Sequence, residues 1–361
     1  MIELDGSYGE GGGALVRSAL ALSVITGQAI HVKHIRAGRE KGGLKAQHLC
    51  AIEALKEICG ATTNDIQLGS EELFFTPGTL RKGKYEIDIG TAGSITLLLQ
   101  ALLPALLFVP GKVTLTIKGG TCGKWQASVD FLQQILLPLV ERFAQKLQLR
   151  ILKRGYYPEG GGEVVLEITP QFLLANFNGV RSLLLELEEK VQPIMLIEQG
   201  KLEQVRGVIN LSEQLAEREV GERLRSSLEI ALADFNVPLS LRLDYAKTGS
   251  IGGEVLVWGV LNGKAPEETC ILAASALLEK QKKAEEIAQN VALDLKRIIE
   301  SGNCVDDFLQ DQLIIFMALR IGSQVRVREL TEHTKTNIYV CEKMLPVRFT
   351  FVKGILSSHN I

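Results

Sequence analysis

The sequence predicts an α/β protein made of repeated βα units, each pairing a small sheet with two helices, with a smaller inserted domain. Three observations carry this prediction. Short apolar runs of strand length alternate with runs whose apolar residues recur at helical spacing. Glycine-rich turns separate them. Between about 184 and 275 the texture changes to a charged helical run, long apolar strands and a glycine-rich turn at Gly249 to Gly253.

In chain order, Ile2 to Leu4 reads as a strand, and the glycines at 11 to 13 release the chain into a helix from about Ala14 to Ile25. A strand follows around Ile30 to Ile35. The next helix covers about Ala46 to Cys59, with Leu49, Ile52 and Leu55 on one face and Gly60 as its C-cap. Gly93 opens another helix. The apolar run from Ile95 to Pro110 is broken by Gln100 and Pro104 and is too short to span a bilayer, so it reads as a buried helix. V-T-L-T-I-K-G-G (113 to 120) is a strand, about Ser128 to Gln145 a helix, and L-Q-L-R-I-L-K-R-G and G-E-V-V-L-E-I are two strands around a second triple glycine. The insertion carries a charged helix from Glu213 to Asp234 and the strands L-S-L-R-L-D-Y-A and G-E-V-L-V-W-G-V-L. A stripe of Ile287, Val291, Leu295 and Ile298 marks the next helix. Then come an apolar helix from about Phe308 to Leu319, the strand Q-V-R-V-R-E-L, a helix after His333 and the strand R-F-T-F-V. The expected division is a large repeat domain, 1–183 with 276–361, carrying the active site, and an inserted smaller domain, 184–275.

The 361 residues suffice for one large core or several domains. A net charge of −2 excludes recognition of nucleic acid by overall charge, so such a partner must meet a local patch. The six cysteines (50, 59, 122, 270, 304, 341) form no C-x-x-C pair and no zinc spacing, and no secretory signal opens the chain. Both point to a soluble protein of the reducing cytoplasm that does not engage a membrane.

Four stretches can carry chemistry. In Y-G-E-G-G-G (Tyr8 to Gly13) the glycines let backbone approach a ligand and aim helix N–H groups at it. Glu10 beside such an anion site would repel a phosphate unless a divalent cation lay between them, and Arg17 follows one turn into the helix. The same letters also suit a plain turn with Glu10 solvated. In I-R-A-G-R-E-K-G-G-L-K-A-Q-H-L (35 to 49), Arg36, Arg39, Lys41 and Lys45 suit phosphate oxygens or a solvated basic loop, and Gln47 and His48 open the next helix. His48 has no visible activating partner and reads as structural or as a substrate contact. G-T-A-G-S-I-T (90 to 96) can hold phosphate or cap its helix, and Gln100 beyond it is a buried amide that needs a partner. In L-T-E-H-T-K-T-N-I (330 to 338), His333 stands at a helix start capped by Thr331 or Thr334. A helix N-terminus disfavours imidazolium, which keeps such a histidine neutral and nucleophilic, although a histidine there can equally be structural.

Together, D-G-S-Y-G-E-G-G-G, I-R-A-G-R, the Q-H-L helix start, A-G-S, R-G-Y-Y-P-E-G-G-G-E-V (154 to 164) and H-T-K-T-N-I ending in P-V-R-F resemble the RNA 3′-terminal phosphate cyclase family over nearly the whole chain. The resemblance implies an α/β (α+β) fold of three repeated units, each a four-stranded sheet plus two helices, with a smaller inserted α/β domain. It also implies use of ATP and a divalent metal, Mg²⁺ or Mn²⁺. A histidine attacks the α-phosphorus, pyrophosphate leaves, and a covalent histidine–AMP forms. The AMP passes to the RNA 3′-phosphate, giving RNA-(3′)pp(5′)A. The neighbouring 2′-OH then closes a 2′,3′-cyclic phosphate and AMP leaves. By the resemblance His333 is the nucleophile and Glu10 the metal ligand, while Arg17, Arg36, Arg39, Gln47 and Gln100 surround ATP or the terminal phosphate. Phe308 falls where an aromatic residue packs on adenine, and Asp311 and Gln312 at polar site positions. The implied partners are RNA 3′-phosphate ends and ATP, with the oligomeric state open, a homodimer among the options.

The sequence departs from the family pattern at C-G-K-W-Q-A-S (122 to 128), where relatives carry an acidic residue and prolines, and where Trp125 offers a stacking surface. It departs again at A-S-A-L-L-E-K-Q-K-K (274 to 283), which lacks glycines. Two other readings compete. A cyclase-like ribosome-assembly factor would lack the histidine that is present here, and an enolpyruvyl transferase would share the architecture without needing the glycine signature or His333.

Overall fold

The computed structural model describes residues 1–9, 11–263, 265 and 268–361. Its first unit is β1 (Ile2–Asp5), α1 (Ala14–Thr26), β2 (Ile30–Lys33), α2 (Ala46–Cys59), β3 (Thr62–Thr63) and β4 (Leu73–Thr76), in the strand order β1-β2-β4-β3. β1 and β2 run parallel, so the connection must cross over the sheet, and α1 is that crossover. The second unit repeats the plan. It has β5 (Gly83–Asp88), α3 (Ile95–Leu106), β6 (Val113–Gly119), α4 (Val129–Phe131) running on into α5 (Leu137–Val140), β7 (Ala144–Lys153) and β8 (Gly162–Pro170), ordered β5-β6-β8-β7.

After the linking helix α6 (Val180–Lys190), β9 (Met195–Leu196) opens a third unit that the chain then leaves. It builds β10 (Lys201–Ser212), α7 (Val220–Leu232), β11 (Leu239–Ala246), β12 (Gly253–Asn262), β13 (Cys270–Leu277) and α8 (Ala284–Glu300), with the sheet order β11-β10-β12-β13. It returns through α9 (Asp307–Leu319), β14 (Gln324–Arg326), α10 (Glu332–Met344), β15 (Val347–Val352) and β16 (Ile355–Asn360). These strands pair with the waiting β9 in the order β9-β14-β16-β15, the same permutation a third time. The expected α/β class with repeated four-stranded units is therefore borne out.

One hydrophobic core runs through the three units, and a second is built by the fourth sheet with α7 and α8. Leu224 and Leu228 of α7 meet Val291 and Leu295 of α8 over Val205 and Val257 of the sheet. The apolar α3 is buried as its composition requires, and among the described residues no helix is long and apolar enough to cross a membrane.

Several boundaries differ from the sequence reading for local reasons. The helix expected to reach Gln145 gives way to β7 at Ala144, because Leu147 and Leu149 point inward at strand spacing. Its middle, Leu132–Leu136, is a wide turn just before Pro138, which has no N–H and crowds the carbonyl four residues back. The charged run Glu213–Arg218 makes tight turns, and the regular helix starts only at Val220, after Glu219 takes a positive φ of 49°.

The second triple glycine turns the chain between β7 and β8 and braces two sheets against each other. Its neighbour Arg154 forms two hydrogen bonds with the buried Asp130 of α4, one of 3.0 Å, and lies 3.7 Å from Glu254 of β12. Burial alone would lower the Arg154 pKa, but the hydrogen bonds and charge of Asp130 raise it above its ordinary value. Burial and the nearby Asp130 charge push the Glu254 carboxyl well up. Tyr156 donates its hydroxyl to the Asn210 carbonyl of β10 (3.1 Å), and the Glu159 N–H donates to Ser250 Oγ (3.0 Å). Removing one partner of a buried ion pair strands the other charge. Asp130→Ala is therefore expected to lower unfolding free energy by about 3–5 kcal/mol in urea titrations; a loss below about 1 kcal/mol would show that the brace is not a buried pair.

Candidate active site

The first glycine loop is where the units meet. Tyr8 and Gly9 lie against the opening of α10, since a side chain on Gly9 would run into Thr336 Oγ1 and approach the Glu332 carbonyl at 3.5 Å. Tyr8 stacks on Tyr339 of the same helix, ring centroids 4.1 Å apart. Gly11, at φ +55°, accepts the Gly38 N–H of the basic loop on its carbonyl (3.2 Å). A Cβ at Gly13 would sit 2.5 Å from His48 Nε2 and 3.0 Å from an Arg17 nitrogen. Only a chain without side chains can admit three such neighbours at once. Glu10, the expected metal ligand, lies outside the described residues.

The basic residues reach this point from different elements. Arg17, on the first turn of α1, is buried and donates from Nε to Gln100 Oε1 of α3 at 3.0 Å. The amide that looked out of place in an apolar helix thus has an arginine from another unit as its partner. Arg36 is half-buried, at φ 59°, and donates to the carbonyls of Lys41 (2.7 Å) and Gly43 (3.1 Å), which folds the basic loop around it. Arg39 is exposed on the same loop, and Gln47 is half-buried on the first turn of α2.

His48 is 1 % exposed, and its Nδ1 accepts the Lys45 N–H (3.0 Å), which puts the proton on Nε2. Burial lowers its pKa to about 3, with the positive charges of Arg17, Arg36 and Lys45 adding to the effect. It is a neutral spacer between the glycine loop and α2, in keeping with a structural role.

On the far side, Thr331 caps α10 by accepting the Thr334 N–H (3.0 Å), and His333 is the second residue of that helix, half-buried. Two residues that sequence reasoning passed over hold this entry in place. Gln310 of α9 accepts the Thr331 N–H (3.1 Å) and donates to the Glu329 carbonyl (3.2 Å). Asn337 accepts the Ser18 hydroxyl of α1 (2.7 Å) and donates to the Asp311 carbonyl of α9 (2.8 Å), joining three helices. A polar residue inside a helical apolar stripe was the available signal for both.

Gln312 donates to the Phe308 carbonyl one turn back (2.8 Å). Ala14, Gln100, Asp311, Gln312 and Asn337, from four helices, help surround a small cavity of about 30 Å³. Phe308 is 41 % exposed, sets its ring edge-on to Phe131 (centroids 6.1 Å apart), and forms a wall of two larger cavities of about 420 and 400 Å³. Arg17, bonded to the lining residue Gln100, brings positive charge beside the small cavity. The arrangement suits a polyanionic ligand with a flat apolar end.

The His48 environment makes a prediction with a definite sign. Its ordinary pKa is 6.5 and its folded value about 3, so between these pH values the unfolded chain binds a proton that the folded chain refuses. The stability contribution is complete above pH 6.5 and is lost as pH falls toward 3. At pH 5 the wild type is expected to have lost about 2 kcal/mol through this group. Chemical denaturation of His48→Gln should show a flatter profile across that window; an unchanged slope would mean that His48 titrates normally.

A family model described as RNA 3′-terminal phosphate cyclase matches residues 8–351 of this chain. Proteins named RNA 3′-terminal phosphate cyclase resemble it along their length. The one from Methanosarcina mazei is 40% identical over 355 residues, covering 97% of this chain and 96% of the relative. Those from Archaeoglobus fulgidus (38% over 346 residues, 96% of each chain) and Nitrosospira multiformis (37% over 352 residues, 97% and 93%) are similar. With its repeated fold and near-complete match to the family model, the chain belongs to the RNA 3′-terminal phosphate cyclase family.

Proposed function

We propose that the protein converts an RNA 3′-terminal phosphate into a 2′,3′-cyclic phosphate at the expense of ATP, through a covalent histidine–AMP. The observation that carries this reading is the meeting of the opening turn of α10, which holds His333, with the arginine-flanked glycine loop. An imidazole is a competent nucleophile toward phosphorus, and the neighbouring cations stabilise the charge that develops on the phosphates.

His333 attacks the α-phosphorus of ATP, the bond to pyrophosphate breaks, and AMP remains on the imidazole as a phosphoramidate. An oxygen of the RNA 3′-phosphate attacks the same phosphorus, histidine leaves, and RNA-(3′)pp(5′)A forms. The vicinal 2′-OH attacks the RNA phosphorus, its proton is lost to solvent, and AMP departs. Arg17, Arg36 and Arg39, with Gln47 and Gln100, hold the phosphates, and Arg17 is pre-oriented by Gln100. Phe308 offers its exposed face to adenine, and Asp311 and Gln312 supply polar edges beside it.

Among the described residues no group of three or more His, Cys, Asp or Glu gathers as a metal cage. One carboxylate with phosphate oxygens is a usual donor set for Mg²⁺ or Mn²⁺ beside a triphosphate, so Glu10 with the nucleotide fits this requirement. The ion, when bound, supplies charge neutralisation at the phosphates. Six unpaired thiols suit a reducing compartment, and we assign the reaction to the cytoplasm.

The test uses an oligonucleotide labelled on its 3′-phosphate. The wild type with ATP and Mg²⁺ or Mn²⁺ should make the label resistant to phosphatase, and omission of ATP or the change His333→Ala should abolish this. Arg39→Ala should reduce kcat/KM by about tenfold or more, as expected for loss of a charge-assisted hydrogen bond. Cyclisation without ATP, or retained by His333→Ala, would refute the covalent route.

A further inference from the structure

Trp125 is 92 % exposed and sits at φ +60°, a conformation uncommon for a bulky residue. A large aromatic ring held out in solvent by a strained backbone is not accounted for by packing. The ring stands over a cavity of about 530 Å³ at the seam between the second unit and the inserted sheet. Tyr157, 81 % exposed, and the exposed Ile251 line the same cavity, and Ala92 of the turn that opens α3 lies at its edge.

The cavity adjoins the site through a shared wall. Residues Cys122 to Gln126 also wall the cavity of about 400 Å³ that reaches Phe308. At the other end, the turn containing Ala92 leads into α3, whose Gln100 holds Arg17. Gly160 of the signature packs on the Thr91 carbonyl, where a Cβ would fall 2.7 Å away, so the Tyr157 turn is seated against the same helix entry. Lysines lie next to the lining residues in the chain. Lys124 precedes Trp125, and Lys280 and Lys283 are exposed just past the lining residues Leu277 to Glu279. The acidic Glu279 is paired with Lys282 at 3.3 Å, which mutes its charge.

We propose that Trp125 and Tyr157 form a stacking ledge for unpaired bases of the RNA upstream of its terminal phosphate, with Lys124, Lys280 and Lys283 following the backbone. Exposed aromatic rings with interleaved cations are the means by which proteins grip single strands without reading sequence. The ledge rests on the functional reading given above, because it takes the RNA end to lie at the Arg17 cluster. It also gives the divergent 122 to 128 loop a job at the RNA strand.

The sequence contains two tryptophans, and Trp258 is only 5 % exposed, so fluorescence quenching reports on Trp125. A 12-nucleotide 3′-phosphorylated oligouridylate should quench the wild type, while Trp125→Phe should lose most of the signal. Trp125→Ala and Tyr157→Ala should each raise KM for the 12-mer by roughly tenfold and leave KM for a 3′-phosphorylated dinucleotide unchanged. Labelling of Tyr157→Ala by α-labelled ATP should also be unchanged. Absence of quenching at RNA concentrations that saturate turnover would overturn the proposal. So would quenching by ATP alone, equal effects on dinucleotide and 12-mer, or quenching that tracks protein concentration without RNA and marks a contact between copies. Quenching by RNA in a wild type that never cyclises it would leave the ledge standing and remove the functional reading instead.

Discussion

The architecture depends on one steric constraint, the approach of three chain segments to the backbone of the first glycine loop. α10 presses on Gly9, the basic loop on Gly11, and α2 with Arg17 on Gly13. Each approach is closer than a side chain would permit. Because the three contacts come from two repeated units and from distant parts of the sequence, the loop sets where His333 stands relative to the arginines. The buried neutral His48 completes this arrangement, since a charged imidazole there would face Arg17, Arg36 and Lys45.

The repeats supply the rest. Each unit runs strand, helix, strand, helix, strand, strand, and helices of all three units surround one small cavity. The third unit is split after β9, and the chain returns to it through α9 after building the fourth sheet. The signature turn then ties that sheet down through Arg154, Tyr156 and Glu159. The two triple glycines therefore do different work: one admits neighbours to a helix start, and the other shapes a brace between sheets.

Much of this was legible in the residues. Helix periodicity gave α2 with Gly60 at its end, and L-S-L-R-L-D-Y-A matches β11 in full. The buried α3 followed from composition and the helix start around His333 from the Thr331 cap, but the strand expected to reach Leu330 ends at Arg326. What stayed hidden depends on distant partners. Strands β3 and β9 are two residues each and exist only through their pairing with β4 and β14. Gln310, Asn337 and Ser18 stand out as polar residues among apolar neighbours, but nothing local says which helices supply their partners. Arg17 was singled out for phosphate from its place after the glycines, but its contact with Gln100 spans two units and has no trace in spacing.

The central claim is that His333, set by this loop, takes AMP covalently. Incubation with α-labelled ATP and a divalent metal in the absence of RNA, followed by digestion under alkaline conditions that spare a phosphoramidate, locates the adduct directly. Acid-labile AMP is expected on the peptide carrying His333, and none in His333→Ala. Label on another residue, or equal labelling of wild type and variant, would contradict it.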